Sequence, residues 1–265
     1  MPLDRPPLPA LNLAIAQPPM HWRGDDNTAA IVRLLAQAAA DGAQLCVFPE
    51  LALTGFHRQI AREARPEAVA GWLAQVRSAC ARHAIAAVLG APTFADEGRI
   101  LNSLLFIDEQ GRHVGTVDKR GLTDPEATFF ARGQQRPVLM LQGLRCSGVI
   151  CREIEDHDEV CADLAGQAPE LVFWPGLMGP QDGDEHIDPP QHVQQAQQLA
   201  QRLGAYVVQS NWPESLNYPE QGAKTGRSAV ISPSGELMFR LPQAAAGLGR
   251  FVLGEAAHAW QPHAV

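Results

Sequence analysis

No run of 18 uncharged apolar residues occurs in these 265 residues, so no membrane-crossing helix is expected. Positive charge is not in excess: the formal net charge is −8, which disfavours nucleic acid or an anionic membrane surface as a partner. The N-terminus, Met1-Pro2-Leu3-Asp4-Arg5-Pro6-Pro7, lacks the basic-then-apolar layout of a secretory signal, so a cytoplasmic location is expected. Cysteines are few and odd in number (Cys46, Cys80, Cys146, Cys151 and Cys161), and none forms a C-x-x-C pair. A disulfide framework or zinc knuckle is therefore a poor reading, and reduced, mostly buried thiols a better one. His157, His186 and His192 lack metal-ligand spacing and read as solvated, so no metal is expected. Asp182, Asp184, Glu185 and Asp188 resemble a calcium loop in charge alone and read as an acidic lid. Fixed-period repeats and a long linker are also lacking, which leaves one domain over 1–265.

What is present is a globular composition, 46% hydrophobic and 19% charged. Residues 1–10 read as a loose leader. Strand-like alternation at 11–17 is followed by helical periodicity over 25–40, with Asp26 or Asn27 as N-cap. Further strands are expected at 45–48, 84–90, 102–108, 113–117, 138–141, into Cys151, and at 170–174, 205–209, 228–231 and 236–240. Helices are expected at 66–83, 156–165 and 191–203. The tail from Ala244 is weakly patterned. Helices separate some strands and hairpins join others, so the fold class is α/β with mixed pairing.

Three apolar runs each break at a chemically useful side chain: 45–49 at Glu50, 113–118 at Lys119, and 146–150 at Cys151. Strand ends are where α/β sheets build their sites. Cys151 could serve as a nucleophile if a helix N-terminus and a cation favoured its thiolate, although Glu153, Glu155, Asp156 and Asp158 crowd the same turn. A buried strand-end cysteine is the plainer alternative. Glu50, in an apolar setting, needs a partner or a raised pKa, and the latter suits a general base; a cap or salt-bridge acid fits too. Lys119 could oppose a developing oxyanion, or belong to a surface cluster with Asp118 and Arg120. Glu126 could hold that lysine. Arg120, Arg132 and Arg136 read as surface charge. Arg152 is a candidate for a substrate carboxylate, and Phe56 and Trp174 for pocket walls or core.

Taken together, Phe48-Pro49-Glu50-Leu51-Ala52-Leu53-Thr54-Gly55-Phe56, Lys119 through Glu126 to Gly133, and Gly148-Val149-Ile150-Cys151 resemble the motifs of the nitrilase, or carbon–nitrogen hydrolase, superfamily. The likeness runs over about 11–240. It implies a four-layer α-β-β-α sandwich that pairs into homodimers and uses no cofactor. It also implies Cys151 as nucleophile, Glu50 as general base, Lys119 as oxyanion stabiliser with the Arg152 N–H, and Glu126 as the second glutamate. The expected reaction is thioester-mediated hydrolysis of a small-molecule amide or carbamoyl group. A nitrile substrate, or a non-catalytic scaffold, are the alternatives. The chain departs from the pattern at Gly121, where a histidine is common, at Arg152-Glu153, where an aromatic residue and an acid are common, and in the Gln run 194–198. It also departs beyond Gly249, where the usual final strand and proline-bearing segment, which the family's C-terminal dimer contact uses, are not legible.

Overall fold

The computed structural model describes residues 8, 10–179, 187–219, 225–254 and 257–262. Most of the leader and of the acidic lid segment lie outside the described residues. The strands are β1 (Leu11–Gln17), β2 (Leu45–Val47), β3 (Ala86–Phe94), β4 (Ile100–Ile107), β5 (His113–Asp118), β6 (Leu139–Leu141), β7 (Leu144–Gly148), β8 (Leu171–Gly176), β9 (Tyr206–Asn211), β10 (Ala229–Ile231), β11 (Leu237–Arg240), β12 (Gly247–Leu253) and β13 (His258–Pro262). The helices are α1 (Gly24–Ala40), α2 (Ile60–Glu63), α3 (Pro66–His83), α4 (Asp124–Ala127), α5 (His157–Leu164) and α6 (Gln191–Leu203). One sheet has the order β13-β12-β1-β2-β3-β4-β5, the other β11-β10-β9-β8-β7-β6.

Period-two alternation explains how these sheets stack. Leu13, Ile15, Ala86, Val88, Leu104 and Phe106 of the first sheet face Leu171, Phe173, Val208 and Val230 of the second, forming the central core. The alternate residues Ala14, Ala16, Ala87 and Leu89 turn outward beneath Ile31, Leu34 and Leu35 of α1 and Val69, Trp72 and Val76 of α3. On the opposite side Val172, Trp174 and Val207 lie beneath Val160 and Leu164 of α5 and Val193, Ala196 and Leu199 of α6. The result is the four-layer α-β-β-α sandwich. Among the described residues, no helix is long and apolar enough to cross a membrane.

Helix limits follow local chemistry closely. Pro66 opens α3 at its first turn, and α6 stops at Gly204 in the left-handed region (φ 59°). The N-cap of α1 is Arg23 rather than Asp26 or Asn27. Asn27 instead brackets His21, accepting from its N–H and donating to its carbonyl, while Glu63 of α2 accepts from the Gly24 N–H at 2.7 Å. A distant carboxylate thus does the work expected of a local cap.

The tail corrects the sequence expectation. Residues 247–253 pair antiparallel with β1 over its whole length, and 258–262 pair back onto β12. The pattern was hidden because glycines at 247 and 249 remove two side chains from the alternation. Leu248, Phe251 and Leu253 are nevertheless buried. Phe251 stacks on Phe239 with ring centroids 6.4 Å apart, closing the central core at this end. Phe251→Ala is therefore expected to cost about 3–5 kcal/mol in urea unfolding; a loosely attached tail would lose almost nothing.

Candidate active site

Glu50, Lys119 and Cys151 each follow a strand at the end from which its loop leaves, β2, β5 and β7 respectively. β2 runs parallel to β1 and β3, and β7 runs parallel to β8, so these exits lie at the carboxyl ends of parallel pairs. Face-to-face packing of the sheets then brings the three loops together.

Lys119 lies at the centre. Its ammonium donates to Glu50 Oε1 at 2.8 Å and to Glu126 Oε1 at 2.5 Å, with the lysine 1% exposed and Glu50 fully buried. Asn102 of β4 donates its amide to the same Glu50 oxygen at 2.7 Å, and its carbonyl accepts from the Lys119 N–H. Glu50 Oε2 is left buried without a hydrogen-bond partner. Glu126 divides its two oxygens: Oε1 takes the lysine, while Oε2 accepts from the Thr123 N–H in the capping box of α4. That short helix fixes the second carboxylate against the cation.

Cys151 opens a 3₁₀ turn (Cys151–Asp156) with φ 50°. A non-glycine residue in the left-handed region costs about 1–3 kcal/mol. The turn is pinned by the Trp174 indole N–H, which donates to the Cys151 carbonyl at 2.8 Å. Glu50, Lys119 and Glu126 all act electrostatically on the thiol. On the other side, Leu51 also has positive φ (52°), and the Trp212 indole N–H holds the Glu50 carbonyl at 2.8 Å. Gly90 is required beneath this turn, since a Cβ there would stand 2.2 Å from the Pro49 carbonyl oxygen and 2.5 Å from the Leu51 nitrogen.

The electrostatics favour a protonated thiol at rest. Burial pushes the Cys151 pKa up to about 12, helped by Glu50 and opposed by Lys119. Burial also raises the Glu50 carboxyl above its ordinary range, against the pull of Lys119. For Lys119 burial alone would lower the pKa, but Glu50, Cys151 and Glu126 outweigh it and hold the ammonium charged. The arrangement is thus a thiol, a free carboxylate oxygen with enhanced basicity, and a fixed cation.

Among the arginines one expectation needs correction. Arg136 is not surface charge: it is buried, and its guanidinium forks onto Glu153 at 3.0 and 3.2 Å. Arg120 pairs with Glu159 and Asp163, and the more exposed Arg132 with Glu159. The crowding acid Glu153 points inward but is neutralised there. Arg152 faces Glu155 and Asp156, at 3.6 and 3.4 Å, so its charge is engaged on its own turn. Trp174 packs in the α5/α6 core and Phe56 beside the α1/α3 core. Asn102 escapes sequence reasoning; its only signal is an amide beside Ser103 in the β4 run, whose other residues are apolar. Among the described residues no cluster of three or more His, Cys, Asp or Glu is placed to hold a metal.

His192 is buried rather than solvated, and neither ring nitrogen has a hydrogen-bond partner. Burial, with Arg227 and Arg240 adding to it, lowers its pKa to about 4. The unfolded chain takes up this proton near pH 6.5, so stability falls as pH drops from there towards 4. The shift corresponds to about 3–4 kcal/mol. Urea unfolding at pH 7.5 and 4.5 should show a smaller acid loss for His192→Gln than for the wild type; equal losses would exclude this assignment.

The carbon–nitrogen hydrolase family model matches residues 12–250. A cysteine-to-alanine mutant of a nitrilase-superfamily amidase from Nesterenkonia is similar at 25% identity, with 93% of this chain and 91% of that chain covered and a TM-score of 0.77. Another structure of a Nesterenkonia amidase, a double mutant in complex with acrylamide, gives a TM-score of 0.79 at 23% identity, covering 95% of this chain and 94% of that one. A third shows the result of Michael addition of acrylamide at the active-site cysteine, with a TM-score of 0.76, 24% identity and 92% of each chain covered. Apolipoprotein N-acyltransferase of Agrobacterium fabrum is 28% identical over 186 residues, or 60% of this chain. The match spans 32% of that protein's length.

Proposed function

Because the chain belongs to the carbon–nitrogen hydrolase family, we propose that it hydrolyses the amide bond of a small linear molecule through a thioester on Cys151. The observation that carries this reading is the free Oε2 of Glu50, beside a lysine locked between two carboxylates. Glu50 Oε2 takes the thiol proton as Sγ attacks the carbonyl carbon. Lys119 and the Arg152 N–H stabilise the tetrahedral oxyanion. The C–N bond then breaks, Glu50 returns the proton to nitrogen, and ammonia or an amine departs. Water attacks the thioester with Glu50 as base, the C–S bond breaks, and acid and thiol are released. A homodimer is the proposed assembly.

Acyl transfer to an amine, the reaction named for the Agrobacterium relative, would use the same thioester. Hydrolysis is favoured because the amidase likeness extends over nearly all of both chains, whereas the other covers 32% of the relative. An amide is preferred to a nitrile because the amidase structures carry acrylamide.

Ammonia release from short aliphatic amides, run beside the matching nitriles, tests the assignment. Cys151→Ala should abolish release, and retained turnover in that variant would refute the mechanism. Glu50→Gln should remain folded and lose about 10²–10⁴-fold in rate. Intact-protein mass spectrometry should then find the acyl adduct of the slowed variant on Cys151.

A further inference from the structure

Glu153 is fully buried two residues beyond the nucleophile. Its Oε1 accepts from the Arg120 N–H at 2.6 Å, the Gly121 N–H at 3.1 Å and Arg136 Nη2 at 3.0 Å. Its Oε2 accepts from the Ile150 N–H at 2.6 Å and Arg136 Nη1 at 3.2 Å. Arg136 Nη1 also donates to the Gly148 carbonyl at 2.6 Å. These five donors saturate a carboxylate's acceptor capacity of about four lone-pair sites. Arg120 and Gly121 directly follow Lys119, and Ile150 directly precedes Cys151.

Those two segments belong to different sheets. Lys119 leaves β5 of the first, where its backbone bonds to Asn102 and Gly133. Cys151 leaves β7 of the second, where the Val149 N–H bonds to Phe173. Between the sheets the core is apolar, and such contact is non-directional and fixes relative position poorly. A charge-assisted carboxylate bonded to both exits does fix it. Burying an ionised glutamate costs several kcal/mol unless paired, and Arg136 supplies the pairing.

We propose that Glu153, braced by Arg136, is a positioning residue that ties the nucleophile turn to the lysine loop and so sets the separation of Cys151 Sγ and Lys119 Nζ. The proposal rests on the reading of Cys151 as nucleophile and Lys119 as its electrostatic partner. It assigns Glu153 no contact with substrate.

The test is the rate of Cys151 alkylation by iodoacetamide, followed by peptide mass from pH 6 to 11 on the rising limb below the thiol's pKa of about 12, with the midpoint obtained by fitting that limb to the rate of a fully ionised thiol and thermal unfolding measured in parallel. In Glu153→Gln the lysine no longer holds its place beside the thiolate, so alkylation near pH 7 should slow about tenfold and its midpoint should move to higher pH. Glu153→Asp keeps the charge but lacks the reach to both loops, and its midpoint should move the same way. Arg136→Lys, the mildest change, should give a smaller upward move. Were Glu153 acting through its charge alone, Gln would move the midpoint down and Asp would leave it in place; that pattern overturns the proposal. A wild-type profile in whichever of these variants fold, whatever their thermal stability, overturns it equally. Alkylation reads the thiol whether or not an amide is turned over, so a failure of amide hydrolysis would count against the reaction and leave this result standing.

Discussion

The buried ammonium of Lys119 is the constraint on which the site depends. A lysine that is 1% exposed must have its charge answered locally, since desolvating it costs several kcal/mol. Two carboxylates answer it, Glu50 and Glu126, which leaves the cluster with one net negative charge at rest. This excess shapes the chemistry. It adds to the burial that keeps the thiol protonated, and it would repel an oxyanion if nothing else changed. In the proposed reaction, however, Glu50 takes the thiol proton and its charge disappears as the oxyanion's appears. The net charge of the cluster is conserved, and the ammonium exchanges one anionic neighbour for another without moving. Such an arrangement needs little reorganisation during reaction, the source of most electrostatic catalysis.

Holding that arrangement requires backbone that would not stand alone. Both the acid and the thiol sit at turns with a non-glycine residue at positive φ, Leu51 and Cys151. Each turn has a carbonyl fixed by a tryptophan indole from the second sheet, Trp212 for Glu50 and Trp174 for Cys151. The four-layer fold matters to function for this reason. Strand ends deliver the loops to one place, and large side chains from the neighbouring strands over-determine their shape.

Much of this was legible in the letters. Apolar runs broken by Glu50, Lys119 and Cys151 announced strand exits, and α3 and α6 begin and end where periodicity, Pro66 and Gly204 place them. What escaped was non-local. The role of Arg136 depends on a carboxylate 17 residues away, and a lone arginine in a loop reads as surface. Asn102 meets Glu50 across 52 positions. Trp174 reads as pocket wall or core alike, because sequence shows neither the face of a strand nor the direction of an indole N–H. His192 reads as solvated because the histidines lack metal-ligand spacing, yet its place on α6 turns it inward. The tail failed for another reason, since glycine has no side chain with which to signal alternation.

The departures from the family pattern at Gly121 and Arg152 resolve into one feature. A Cβ on residue 121 would stand 2.4 Å from Asp156 Oδ2, 3.1 Å from Glu153 Cγ and 3.5 Å from Arg152 Nη1. The space beside the lysine loop is therefore already filled by the Arg152–Asp156 pair and by Glu153. A larger residue at 121 would displace the Asp156 carboxylate from this pairing. The Gly121 N–H also bonds to Glu153, so the close approach that glycine permits is what lets one carboxylate reach both loops. Restoring a bulky residue at 121 alone would thus disturb the clamp as well as the surface pair. The glycine, the arginine and the two acids thus form one packed unit beside the lysine loop, so that a change at any of them is felt by the others.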